Sequence, residues 1–367
     1  MTLQGPCAPL LATLTQPASV ASLNAAGWGR LLACARSVNL LGTLAERVHA
    51  AGAPVHPGAA RHLHGARQLA ARQRQSVQWE VHSLQAALRP LKAPVVLLKG
   101  AAYVMGGHGV AEGRMFGDID LLVPREALGD VESALMLDGW VSAKASAYDQ
   151  RYYREWMHEL PPMVHVRRGA VVDIHHTILP PTSRHTPDAV GMIARAVPLP
   201  GLPGMHVPSA EDLVIHSITH LVHEGELHNG LRDLVDIDGM LRTFGAEPDF
   251  WSRLQEATVR HGLAQPVVLG LALARDVLQT PIPPTCWEAL STTAGSRPAP
   301  GWLRALLKAA LQAGAPGGGG PWPSLATGLV YIRAHGLRMP PGLLLRHLAT
   351  KAWMNWREKP DEGAPDP

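Results

Sequence analysis

Two short apolar runs, VVLLKG at 95–100 and GDIDLLV at 117–123, stand in a chain whose other apolar residues mostly recur at helical spacing. Runs this short, rich in valine and leucine and closed by Gly100 and Pro124, suit buried strands better than helices. A sheet must therefore sit in the middle of the chain. Helical segments on either side must cover it.

Residues 20–90 carry that helical period: Leu31, Leu32, Leu40, Leu41 and Leu44 precede Val48, and Leu69, Val77, Val81, Leu84 and Leu88 follow. GAPVHPG (52–58) breaks the pattern as a turn. After the first strand, AAYVMGG reads as a short helix and GGHGVAEGR as a glycine-rich loop into the second strand. In REALGDVESALMLDGW, Leu128, Val131, Leu135 and Leu137 are expected to face inward, with Gly139 as the stop. PMVHVRR and AVVDIHHTI form two β-branched runs joined at Arg168-Gly169, the pattern of a hairpin.

From Pro208 helices return. Ser209 is placed to cap the first of them, with Asp212 three residues on, and Gly245 ends the second. GAPGGGGPWP (314–323) reads as a connection, followed by a basic helical region to Trp356 and a tail, PDEGAPDP. The expected fold is α+β: a small mixed sheet with helical N-terminal and C-terminal regions. Its expected divisions are a helical region at 1–93, a catalytic core at 94–207, a helical subdomain at 208–313, and a linker with terminal helices at 314–367.

Composition narrows the partners. With 367 residues, 46% hydrophobic and 17% charged, the chain is ordinary globular material. A net charge of +3 is too mild to argue for nucleic acid, and no basic face interleaved with aromatics is visible. The basic positions Arg338, Arg346, Lys351, Arg357 and Lys359 read as a solvated helical face. Three separated cysteines without a CxxC pair, and an N-terminus without a basic leader, fit a reducing cytoplasm. No apolar run approaches the ~20 residues that span a bilayer.

The chemistry lies in the second strand. Residues i and i+2 of a strand share a face, so Asp118 and Asp120 project together while Ile119 and Leu121 enter the core. Paired carboxylates in an apolar strand call for a positive partner, and oxygen ligands favour Mg²⁺ or Mn²⁺. Asp173, alone among the β-branched residues of VVDIHH, would join them if its strand lies alongside. Three carboxylates suit metal-assisted phosphoryl displacement, with Asp173 as the base for an incoming hydroxyl.

The succession K-G, R-M-F-G-D-I-D-L-L-V and V-D-I-H-H resembles the DNA polymerase β-like nucleotidyltransferase superfamily. Within it, the chain resembles a bacterial family of uncharacterised nucleotidyltransferases, over 94–178 and into the helices to about 245. The resemblance implies that Asp118, Asp120 and Asp173 bind the metals. It implies attack by an acceptor on the α-phosphate of a nucleoside triphosphate, with pyrophosphate leaving. It also implies close approach of the triphosphate at Gly100 and at the turn that holds Gly117. The serine usual after the first strand is absent, since the step here is Lys99-Gly100-Ala101. Lys99 either replaces it as a phosphate contact or ends the strand in solvent. Arg114 either clamps a phosphate or pairs with an acid.

By the same resemblance a helical subdomain closes the cleft, with His220, Arg232 and Asp236 facing base, ribose or acceptor. His216, His220 and His223 share one helix face, a spacing compatible with Zn²⁺ but without the HExxH glutamate. A helix–helix seam is the commoner use of such histidines. Of His175 and His176, adjacent on a strand, one should point to the site and the other into packing. The leading expectation is Mg²⁺-dependent nucleotidyl transfer to an unidentified small molecule or protein. Its alternatives are a nucleotide- or partner-binding protein without turnover and a zinc-dependent hydrolase.

Overall fold

All four residues of strand β1 (Val95–Leu98) are buried, as a run without a polar member requires. In the computed structural model, which describes residues 5–144, 146–293, 300–340 and 342, this strand lies inside a sheet of seven. Strand β2 (Ile119–Leu122) runs antiparallel to it, with Leu98 opposite Asp120. β5 (Val171–His175) lies parallel on the other side of β2 and sets Asp173 opposite Asp120. β4 (Met163–His165) forms the expected hairpin with β5, and β3 (Trp140–Ser142) extends the sheet beyond it. On the opposite side, β7 (Met205–Val207) pairs in parallel with β1 and β6 (Val197–Pro198) closes that edge. The fold is α+β with a mixed sheet, as expected.

Helices α1 (Ala8–Thr15), α2 (Ala25–Ser37), α3 (Leu41–Ala50) and α4 (Pro57–Leu88) precede the sheet. Pro57 opens α4 at a position where no amide is needed, and the His56 ring accepts from the Gly58 amide. α5 (Lys99–Met105) follows β1 directly, and α6 (Leu128–Leu137), α7 (Ala147–Trp156) and α8 (Ala189–Ala194) occupy the connections. α9 (Ala210–His223) and α10 (Gly230–Phe244) then pack on α5 and on the loop before β2. Ser209 caps α9 by accepting the Asp212 amide, and Gly245 ends α10, both as expected. α11 (Phe250–Arg260), α12 (Ala264–Leu278), α13 (Pro284–Thr293), α14 (Gly301–Gln312) and α15 (Pro321–Arg338) complete the described helices. One apolar core runs through these layers, from Leu10 through Leu97 and Leu121 to Leu271 and Val330.

Close backbone contact fixes the loop that leads to β2. A Cβ on Gly42 would lie 2.2 Å from the Gly113 carbonyl oxygen, and one on Gly113 (φ +73°) would lie 2.4 Å from that of Gly42. Only glycine allows α3 to rest directly on this loop. The neighbouring Arg114 is thereby aimed inward.

Several expectations need correction. β3, β6, β7 and α7 were not expected, because two or three residues of strand carry no readable period and α7 is largely polar. Leu137 is 91% exposed rather than inward, since it lies about 200° around the helix from Leu135. Leu69 is also exposed. Of the expected basic C-terminal region, Arg338 is described and pairs with Glu224 at 3.1 Å. Arg346, Lys351, Arg357, Lys359 and the tail lie outside the described residues. Among the described residues no helix is long and apolar enough to cross a membrane.

Candidate active site at the end of the central strands

The parallel pairing of β2 and β5 brings Asp120 and Asp173 side by side, and Asp118 stands one residue before β2. Carboxylate oxygens of Asp118, Asp120 and Asp173 lie within 4.8 Å of one another. Their settings differ: Asp120 is buried, Asp173 half-buried and Asp118 exposed at the mouth. Asp120 Oδ1 accepts from Lys99 Nζ at 2.9 Å and lies 3.0 Å from His175 Nε2. His175 thus points to the site, while His176 is half-buried.

The charges are unequally matched. Burial opposes ionisation of Asp120, but the Lys99 ammonium and the His175 hydrogen bond outweigh it and hold the carboxyl far below its usual range. Burial likewise opposes charge on Lys99, and Asp120, with Asp118 and Glu159 beyond it, raises the ammonium above the ordinary lysine value. Asp118 is raised, first by the Asp120 charge and then by burial. Asp173 is pushed up to about 7 by burial, then by Asp120 and Glu159. Its Oδ1 is buried without a hydrogen-bond partner. Lys99 and His175 therefore satisfy Asp120, and Asp118 and Asp173 retain unmet negative charge. An all-oxygen donor set with an orphaned carboxylate oxygen fits a hard divalent cation.

Beside these acids opens a cleft of about 530 Å³, lined by Lys99, Gly100, Gly117, Asp118, His220 and Arg232 among others. Lys99 holds φ +43°, a left-handed conformation costly for a residue with a side chain. Its ammonium neither reaches solvent freely nor stands alone in the cleft; it is committed to Asp120. A Cβ on Gly100 would come within 2.8 Å of Arg114 Nη1 and Phe116 Cδ1, so this glycine admits the side chains beneath it. Gly117 has open space where its Cβ would be.

Arg114 is buried and donates to Asp236 at 2.7 Å, with Asp233 at 3.9 Å, which is the acid-pairing alternative. Asp236 is accordingly buried behind the cleft wall rather than facing the cavity. Arg232 forks onto Asp233, its Nη2 at 2.8 Å, and His220 stands 3.6 Å from Glu224 and 4.0 Å from Asp233. The histidine face of α9 does not form a metal site: among the described residues, His216, His220 and His223 are not a converging group. His216 is buried, which pushes it down to about 3, and His223 bonds the Thr219 carbonyl.

Glu159, Tyr103 and Asp233 also belong to this neighbourhood. Asp233 and Tyr103 line the cleft, and Tyr103 OH shares a 2.8 Å hydrogen bond with Ser217 Oγ. Glu159 carried no readable signal, because it lies in an irregular segment that reaches the site only by bridging to His175 on β5.

No curated protein and no solved structure matches the chain. Residues 24–279 match a family described as uncharacterised nucleotidyltransferase. The match runs from α2 to the end of α12 and takes in the whole carboxylate cluster with the cleft beside it, so the chain belongs to the uncharacterised nucleotidyltransferase family.

Proposed function

We propose that this chain is a Mg²⁺- or Mn²⁺-dependent nucleotidyltransferase that moves a nucleoside monophosphate from a nucleoside triphosphate to a small molecule or a protein. The observation that carries the reading is the convergence of Asp118, Asp120 and Asp173 at one end of two paired strands, beside a cleft of nucleotide size. These three side chains would hold the cation, which when bound offsets the negative charge of the phosphates. Arg232 and His220 form the helical wall against which the nucleotide lies. Asp173, set opposite Asp120 on the neighbouring strand, takes the proton of the acceptor hydroxyl. The acceptor oxygen bonds to the α-phosphorus as the bond to the bridging oxygen breaks, and pyrophosphate leaves with that electron pair.

The test is incubation with Mg²⁺ and each labelled nucleoside triphosphate, following pyrophosphate release and label transfer. Turnover that survives in both Asp118→Ala and Asp120→Ala would sink the reading. One observation favours a second reading, binding without turnover: Lys99 already neutralises Asp120. On that reading a triphosphate raises the melting temperature with no pyrophosphate released under any acceptor condition.

A further inference from the structure

A second group of ligands lies behind the carboxylate cluster. Donor atoms of His158, Glu159 and His175 also come within 4.8 Å of one another. Backbone pairing holds them there: Glu159 bridges to His175, the His176 amide donates to the His158 carbonyl at 2.9 Å, and the Leu160 amide donates to the Ile174 carbonyl at 2.8 Å. The irregular segment before β4 is thus fastened to β5 on both sides of Glu159.

The His175 ring decides what this group can do. Its side chain is 4% exposed, and its Nε2 lies 3.0 Å from Asp120 Oδ1. Its Nδ1 is buried without a hydrogen-bond partner and faces Glu159 Oε2 at 3.3 Å. With Nε2–H donating to Asp120, the Nδ1 lone pair is directed between Glu159 and His158. A carboxylate that orients a histidine in this way is the usual support of a metal-ligating imidazole. Nδ1 of His158 is likewise buried and unpartnered, and the two rings lie 5.1 Å apart between centroids.

We propose that His158, Glu159 and His175 form a site for a zinc-class divalent cation, separate from the three-carboxylate site and joined to it through the His175–Asp120 hydrogen bond. Two imidazoles and one carboxylate are softer than an all-oxygen set and select Zn²⁺ over Mg²⁺. The 3.3 Å separation of His175 Nδ1 and Glu159 Oε2 matches the edge of a tetrahedron with bonds of about 2.0–2.1 Å. Three protein ligands leave one position for water or substrate. The side chains of His158 and Glu159 are 18% and 17% exposed, so the site is not sealed. Zn²⁺ here would fix the His175 ring and, through it, the orientation of Asp120. This inference does not rest on nucleotidyl transfer.

The experiment uses the full chain without a histidine tag, stripped by a chelator and titrated with Co²⁺ as a spectroscopic substitute for Zn²⁺. Expected is one equivalent with an intense visible d–d band, displaced by Zn²⁺ and indifferent to excess Mg²⁺. His158→Gln and Glu159→Gln abolish the band, Asp118→Asn keeps it, and Asp120→Asn weakens Co²⁺ binding about 10–100-fold by removing the support of His175. Circular dichroism and melting of each variant establish that it is folded, and one that is not is replaced by His158→Asn or Glu159→Ala. A band that persists in folded His158 and Glu159 variants but is lost in Asp118→Asn places the cation among the three aspartates and overturns the proposal. So does the absence of any Co²⁺ or Zn²⁺ uptake. Nucleotide turnover is not part of the readout, so failure here leaves the transferase reading standing.

Discussion

Asp212 and Asp120 are both buried, and each lies within hydrogen-bond reach of a histidine and of an arginine or lysine. Asp212 Oδ1 lies 2.8 Å from His261 Nε2 and its carboxylate also bonds Arg195, much as Asp120 meets His175 and Lys99. Around Asp212 the matching is nearly complete: Asp188, the other acid on Arg195, also accepts the Gly191 amide, and both carboxyls sit below their usual range despite burial. Around Asp120 three further acids, Asp118, Asp173 and Glu159, crowd the same lysine and histidine, and all three are raised. One arrangement is stable as it stands. The other leaves three raised carboxyls without a full set of positive partners, a pattern that clusters at functional sites.

That contrast breaks most directly at the carboxylate cluster. Asp118→Ala combined with Asp120→Ala should lower kcat/KM for triphosphate turnover by at least about 10⁴-fold, more than ~5 kcal/mol of barrier. Asp120→Ala strands a buried Lys99 and His175, so melting temperature should fall as well, and the loss of activity is read per folded molecule. A double variant that loses activity only in proportion to its folded fraction would show the acids to be structural.

Asp212→Ala should show the opposite balance. It strands a buried His261 and removes a partner of Arg195, so unfolding should become easier by about 3–5 kcal/mol in denaturant titration. Turnover per folded molecule should be kept. If Asp212→Ala proves nearly neutral, the matched cluster is not what holds α9 against α8 and α11.

Much of this contrast was legible in the sequence, and the remainder was lost for physical reasons. Two acids two residues apart in an apolar strand announce a shared face, and a lone acid in VVDIHH announces its partner strand; alternation is a local rule that needs no tertiary information. Asp118 itself lies just outside β2, yet the turn still delivers it. Lys99 and Arg114 looked alike from sequence, as cations near a phosphate site. The fold separates them: Arg114 is drawn under Gly100 onto Asp236, and Lys99 is turned at positive φ onto Asp120. Which acid captures which cation depends on α10 and on strand register, neither of which has a local signature. Glu159 was invisible for the same reason, since its position depends on a bridge to a strand twelve or more residues away.

A gentler probe is Asp173→Asn. The native carboxyl is raised to about 7 from 3.8. Below about pH 4 both folded and unfolded chains keep the proton. As pH rises toward 7 the unfolded chain releases it while the folded chain retains it, so the wild type loses stability across that window. Asparagine carries no such charge. The variant should therefore gain on the wild type between pH 4 and 7, reaching on the order of 1–3 kcal/mol above pH 7 without divalent cation. Saturating Mg²⁺ should stabilise the wild type and shrink the gap. A constant difference across pH would mean that Asp173 titrates normally and bears no part of the negative charge.

The smallest effect is expected where the two regions meet. Tyr103 on α5 lies against Arg114, whose guanidinium carbon is 5.4 Å from the ring centre, and its hydroxyl meets Ser217 of α9 at 2.8 Å. Tyr103→Phe keeps the ring and its contact with the cation. Ser217 keeps its bond to the Leu213 carbonyl at 2.8 Å, so no buried hydroxyl is stranded. The cost should be that of one hydrogen bond, about 0.5–1.5 kcal/mol in chemical denaturation, with kcat within about tenfold of wild type. Tyr103 also lines the cleft, which gives the variant a second use. A rise in KM for the triphosphate well beyond that range, at unchanged stability, would show that the hydroxyl serves the nucleotide rather than the joint. The boundary between the matched and unmatched halves would then run through Tyr103 itself, with the tyrosine on the reactive side.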